Sequence, residues 1–107
     1  MAQILNLSTR YADKVFRAKP ATFPKGSPEW NWFSDFYQMA RSFWNVEADN
    51  ESYWYDLTMA TSGFYSKYKQ DPKLEDLTKR IVVAFMSFLE DQARDPERFE
   101  VNTGGTT

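Results

Sequence analysis

Neither cysteine nor histidine occurs anywhere in the chain. Without cysteine there can be no disulfide framework, no thiolate metal site and no thiol nucleophile. Without histidine the commonest metal ligand is missing, and so is the usual acid–base group near neutral pH. Ser–His–Asp and Cys–His arrangements cannot be built, nor can an imidazole-ligated zinc site or a Glu-x-x-His di-iron pattern. Long apolar runs are also missing: the longest is Ile81–Met86, far short of the roughly 20 residues a membrane span needs. The opening stretch MAQILNLSTRYADKVF has no basic n-region followed by an apolar h-region, so no signal peptide is expected. A cysteine-free chain with neither feature suits a cytoplasmic location.

Aromatic residues are abundant. They make up 18% of 107 residues within an apolar fraction of 42%. Rings bury much area each, so a chain of single-domain length can still build a sound core. The net charge of −2 hides an asymmetry. Residues 1–26 carry five basic groups (Arg10, Lys14, Arg17, Lys19, Lys25) and one acid, Asp13, for +4; the remainder carries eight basic and fourteen acidic groups, for −6. This distribution has two readings. The basic element lies against the acidic body of its own chain, or it contacts nucleic acid.

Proline and N-cap signals divide the chain. The segment PATFPKGSP, residues 20–28, cannot be crossed by a helix. Ser27-Pro28 and Asp71-Pro72 each place an N-cap residue before a proline at the first helical position. Asp95-Pro96 stops the last helix. Strand alternation is sustained nowhere. Helices are expected over about 8–19, 28–46, 50–70 and 72–94. The first of these could begin earlier, since Ile4, Leu5 and Leu7 call for burial. The expected fold is all-α: a compact four-helix bundle-like single domain over residues 1–101, with a short flexible Gly/Thr-rich tail over 102–107.

The aromatic density peaks in PEWNWFSDFYQMARSFWN, residues 28–45. On a helix, Phe33, Phe36, Ala40 and Phe43 recur at 3-4-3 spacing and form the centre of an apolar stripe. Trp32, Met39 and Val46 form one flank, and Trp30, Tyr37 and Trp44 form the other. Either both flanks are core, or Trp30, Tyr37 and Trp44 stay partly open as a partner site. Base stacking is a third use of such rings, but Arg41 is the only cation nearby. The polar face beside them holds Gln38 and Arg41 and is poor in Lys and Glu, as protein interfaces are.

The next helix packs through Tyr53, Leu57, Ala60 and Phe64. Tyr55 and Met59 fall on the opposite side with Ser62, Gly63 and Ser66. The first helix covers this face, or another protein does. Gly63 in mid-helix costs about 1 kcal/mol against alanine, which implies close packing or a kink. The last helix has near-heptad spacing at Leu74, Leu77, Ile81, Ala84 and Phe88; Val83 and Met86 fall on its far side, where they are either buried, the favoured reading, or a small exposed pair open to a partner. It should be the most buried element.

The carboxylates read as solvated acids. Asp56 lies at the edge of the third helix's apolar stripe, Glu75 and Asp76 sit in the first turn of the last helix, where they favour its dipole, and Glu90, Asp91, Asp95, Glu97 and Glu100 form an acidic run. DNESYWYDL lacks the glycine and ligand spacing of a calcium loop, and FPKGSP is not a phosphate loop. No catalytic residue, metal or cofactor is expected. The reading is a small, non-enzymatic helical protein that binds another protein as adaptor, regulator or inhibitor. Its candidate contacts are Gln38, Arg41, Tyr55, Met59, Ser62, Ser66, Trp30, Tyr37 and Trp44. The alternatives are a nucleic-acid binder using Arg10, Lys14, Arg17, Lys19 and Lys25, and a structural homo-oligomer.

Overall fold

The computed structural model describes residues 19–99. The helix expected over 8–19, with Arg10, Lys14 and Arg17, and the tail over 102–107 lie outside these residues, apart from Lys19, which is exposed and non-helical. Among the described residues there are three α-helices and a closing 3-10 turn, with no strand. The all-α class holds; the described part is three helices rather than four. They are α1 (Pro28–Phe43), α2 (Glu51–Tyr68) and α3 (Pro72–Arg94), and the turn is Pro96–Phe99.

The helix starts follow the cap signals. Ser27 Oγ accepts from the Trp30 amide at 3.2 Å, and Asp71 Oδ1 accepts from the Lys73 and Leu74 amides at 3.0 and 3.1 Å. Asn50 caps α2 by accepting from the Ser52 amide. Gly26 sits in the turn before α1 at φ +89°, a left-handed conformation that glycine adopts without strain. The end of α1 is three residues earlier than the spacing predicts. There the Tyr53 hydroxyl donates to the Phe43 carbonyl at 2.6 Å, occupying one of the acceptors a helix end leaves open. The chain then leaves the helix and Val46 turns onto the core.

The core differs in phase from the periodicity. On α1 the buried residues are Trp32 and Met39, with Phe36, Ala40 and Phe43 packed partly against them. Phe33, expected at the centre, is exposed. The reason is a polar group. The Trp32 indole N–H donates to Thr78 Oγ1 at 2.7 Å, and that hydroxyl donates to the Leu74 carbonyl at 2.6 Å. Thr78 is fully buried. Facing Trp32 to Thr78 turns α1 so that Phe33 points outward.

On α3 the buried positions are Leu74, Thr78, Phe85 and Leu89. Ala84 and Val83 are exposed, and Met86 is only partly buried, so the expected burial of Val83 does not occur: at 66% exposure it is a surface residue. The most buried element is α2, with five buried residues among 18, against four among 23 on α3. It lies between the other two and packs on both through Tyr53, Leu57, Thr61, Phe64 and Tyr68. Trp32, Phe36, Phe64 and Phe85 form a ring cluster with centroids 5.3–6.3 Å apart.

Thr78→Val keeps the shape but removes the acceptor for Trp32. It should cost about 1–3 kcal/mol by leaving a buried donor unpaired, and Thr78→Ser should cost less. Urea unfolding of both variants checks this; a loss in Thr78→Ser with none in Thr78→Val would show that volume, not the hydrogen bond, matters at this position.

Candidate functional site

Among the described residues the helices leave two side grooves, a cavity at the bundle's end, and a hollow of about 540 Å³ at the turn between α2 and α3, lined by Pro28, Asn31, Lys67, Tyr68 and Leu74 among others. The first groove, between α1 and α2, has a volume of about 380 Å³. Gln38, Met39, Ser42 and Phe43 line it from α1, and Met59, Ala60, Gly63 and Phe64 from α2. Asp35 and Lys67 stand at one end. Among its described lining residues these two are the only ionisable groups, and they pair with each other: Lys67 Nζ is 2.7 Å from Asp35 Oδ2. The same carboxylate oxygen accepts from the Tyr68 hydroxyl at 2.6 Å. The groove therefore offers a neutral, largely apolar wall.

Gly63 keeps the groove open. A methyl group placed on its Cα would meet no atom within 4 Å, and α2 runs unbroken through it. The close packing or kink expected from the sequence is therefore absent: the glycine borders open space.

The second groove, between α2 and α3, measures about 540 Å³ and is lined by Ser62, Ser66, Thr61, Tyr65, Lys79, Val82 and Val83. So the face that the sequence placed together is split. Met59 goes to one groove, Ser62 and Ser66 go to the other, and Tyr55 lines neither, standing 65% exposed on the ridge between them. The cavity of about 370 Å³ at the end of the bundle is lined by Trp44, Val46, Ala93, Pro96 and Phe99 among others. Trp44 is 55% exposed there and packs against Phe88 at 5.6 Å.

The flank Trp30, Tyr37 and Trp44 is exposed along its length. Arg41 lies over the Tyr37 ring at 5.8 Å, a cation–π geometry at the surface. Lys19 and Lys25 are exposed in the segment before α1; Arg10, Lys14 and Arg17 are outside the described residues. Among the described residues no group of three or more Asp or Glu side chains is placed to hold a metal ion, and no helix is long and apolar enough to cross a membrane.

The Asp35–Tyr68–Lys67 arrangement was missed in the sequence, since the tyrosine and the acid are 33 residues apart. At Asp35 partial burial pushes the pKa up, but hydrogen bonds from Lys67 and Tyr68 and the Lys67 charge outweigh it, leaving it below the usual carboxylate value. The Tyr68 hydroxyl is pushed far upward by burial and by the bond to Asp35. Tyr65 is raised mainly by its bond to Glu75 (2.6 Å), and Tyr53 by burial and the nearby Glu47 charge. None of these groups is poised for proton transfer near neutral pH.

Comparison with known proteins gives no match: no family model, no curated protein and no solved structure is similar to this chain.

Gly63→Ala should raise stability by about 1 kcal/mol, because the added methyl meets nothing; denaturant unfolding measures it, and a loss would mean that the groove is tighter than described. The raised tyrosines give a second test. In the alkaline range the unfolded chain releases these phenolic protons while the fold retains them, so the stability they contribute is complete below about pH 10 and falls above it. Absorbance at 295 nm should show a late-titrating class of tyrosines, and Asp35→Asn should move Tyr68 to lower pH within that class. An unchanged titration curve for Asp35→Asn would refute the assignment.

Proposed function

We propose that this chain is a small non-enzymatic module that binds another protein through the groove between α1 and α2. The observation that carries the reading is the groove itself: open, apolar, and with its one ion pair closed on itself. A partner needs no matching charge to enter it. Met59, 55% exposed at the rim, is a flexible side chain that can re-pack around an incoming apolar group. Gly63 lets that group approach the α2 backbone. Gln38 supplies an amide beside the apolar floor, which fixes orientation more than affinity. Tyr55 and Arg41 extend the surface beyond the groove, as aromatic and arginine residues do at interface centres.

Gly63→Leu projects its side chain into the groove from a Cβ position that meets no atom. It should abolish partner capture, and Met59→Ala should weaken it about tenfold, a typical hot-spot loss. The measurement is affinity capture from the native host with the full chain immobilised, read by quantitative mass spectrometry against wild type. A protein retained by wild type and lost with Gly63→Leu, at an unchanged denaturation midpoint, supports the reading. Capture that is indifferent to both variants, or that falls only in step with unfolding, removes it.

A further inference from the structure

A third surface, between α1 and α3, is built differently from the two grooves. The contacts Trp32 to Thr78, Phe36 to Phe85 and Trp44 to Phe88 advance in the same direction along both helices. Thus α1 and α3 are parallel, with α2 antiparallel between them. They meet by reaching across with large side chains, as diagonal helices of a four-helix bundle do. The described residues occupy three corners of such a square.

Both helices carry a matching apolar row on the side of the vacant corner. On α1 it is Phe33, Tyr37 and Ala40, continued by Trp44 at the helix's C-cap; on α3 it is Leu77, Ile81, Ala84 and Phe88. Each row has 4-3-4 spacing, the period of a helix–helix seam. Phe33, Tyr37 and Trp44 are each more than half exposed, whereas Ala40, Leu77, Ile81 and Phe88 rest partly on the core. Exposed rings in such continuity mark a surface that something covers.

We propose that the occupant is residues 4–18 of the same chain, laid on this face as an amphipathic helix. Three observations select it over a foreign partner. The chain leading back from α1 is already on the face, since Phe23 stacks on Phe33 at 5.7 Å and 20°. The segment just before it holds Ile4, Leu7, Tyr11, Val15 and Ala18 at 3-4-4-3 spacing, one stripe of a helix. Its length also fits: 15 residues span roughly 22 Å as a helix, against roughly 17 Å from Phe33 to Trp44. Charge agrees with the placement: residues 4–18 carry Arg10, Lys14 and Arg17 against Asp13, a net +2, while residues 27–107 carry −6. The groove between α1 and α2 stays clear of this face, so the two proposals stand or fall separately.

Hydrogen exchange of the full chain tests it, with a synthetic peptide of residues 4–18 as reference. Amides in this segment should exchange more than tenfold slower than in the peptide, at a rate independent of protein concentration. Ala84→Glu and Phe33→Glu alter positions that the three helices leave exposed. Both should return the segment to peptide-like exchange while α2 stays protected. A nitroxide on Tyr37→Cys, the sole thiol of that variant, should broaden the amide signals of residues 4–18 in dilute solution. Peptide-like exchange in the wild type, or no broadening, overturns the proposal. Protection that grows with concentration alongside a sedimenting dimer also overturns it, and assigns the face to a second copy.

Discussion

Everything else in this fold is arranged around one hydrogen bond, from the Trp32 indole to Thr78 Oγ1. Both partners are buried, and Thr78 passes the interaction on to the Leu74 carbonyl within its own helix. Two rotations of α1 compete. One centres Phe33 and leaves the Trp32 N–H turned away from its acceptor. The other centres Trp32 and exposes half of Phe33. Leaving Phe33 half exposed gives up about 1 kcal/mol of burial, whereas a buried unpaired donor costs about 1–3 kcal/mol, and Trp32 is also the larger ring to bury. The second rotation wins. It sets which rings of α1 face outward and where α2 fits.

The same choice explains what could be read from the sequence. Helix starts were legible because Ser27-Pro28 and Asp71-Pro72 act locally. The end of α1 was not, because it depends on a hydroxyl ten residues away, on Tyr53. Spacing alone gives the wrong phase for α1 because it treats Trp32 and Phe33 as equivalent rings, although only one has an N–H to satisfy. Thr78 gave no apolar signal, since its hydroxyl is hidden by bonding back along its own helix. Tyr55 and Met59 were read as off the packing stripe and are exposed. Their division from Ser62 and Ser66 follows from α2 having a neighbour on each side, which single-helix periodicity does not contain. A mid-helix glycine has the same sequence signature whether it admits a neighbour or borders open space, and at Gly63 it borders open space.

The candidate surface and the core share their chemistry at one point. Tyr68 is a core ring whose hydroxyl reaches Asp35, and Asp35 in turn engages Lys67 at the end of the groove. A half-exposed ion pair contributes little to stability by itself. Here its effect is to remove net charge from the groove while anchoring α1 to the end of α2. The grooves differ accordingly. The one between α1 and α2 has a charge-balanced end; the one between α2 and α3 has Lys79 at its edge beside exposed Val83.

The bond between Trp32 and Thr78 joins residues 46 apart. Closing a loop of that length costs about 3 kcal/mol of chain entropy, against a net return of about 1 kcal/mol from the bond itself. The bond is therefore sustained only when α2 is already in place to shorten the path. Conversely, a hairpin of α1 and α2 alone would carry an indole with nothing to donate to. Among the described residues the two partners of this bond stand on α1 and α3 with α2 packed on both, so no two-helix piece holds the whole of the described core.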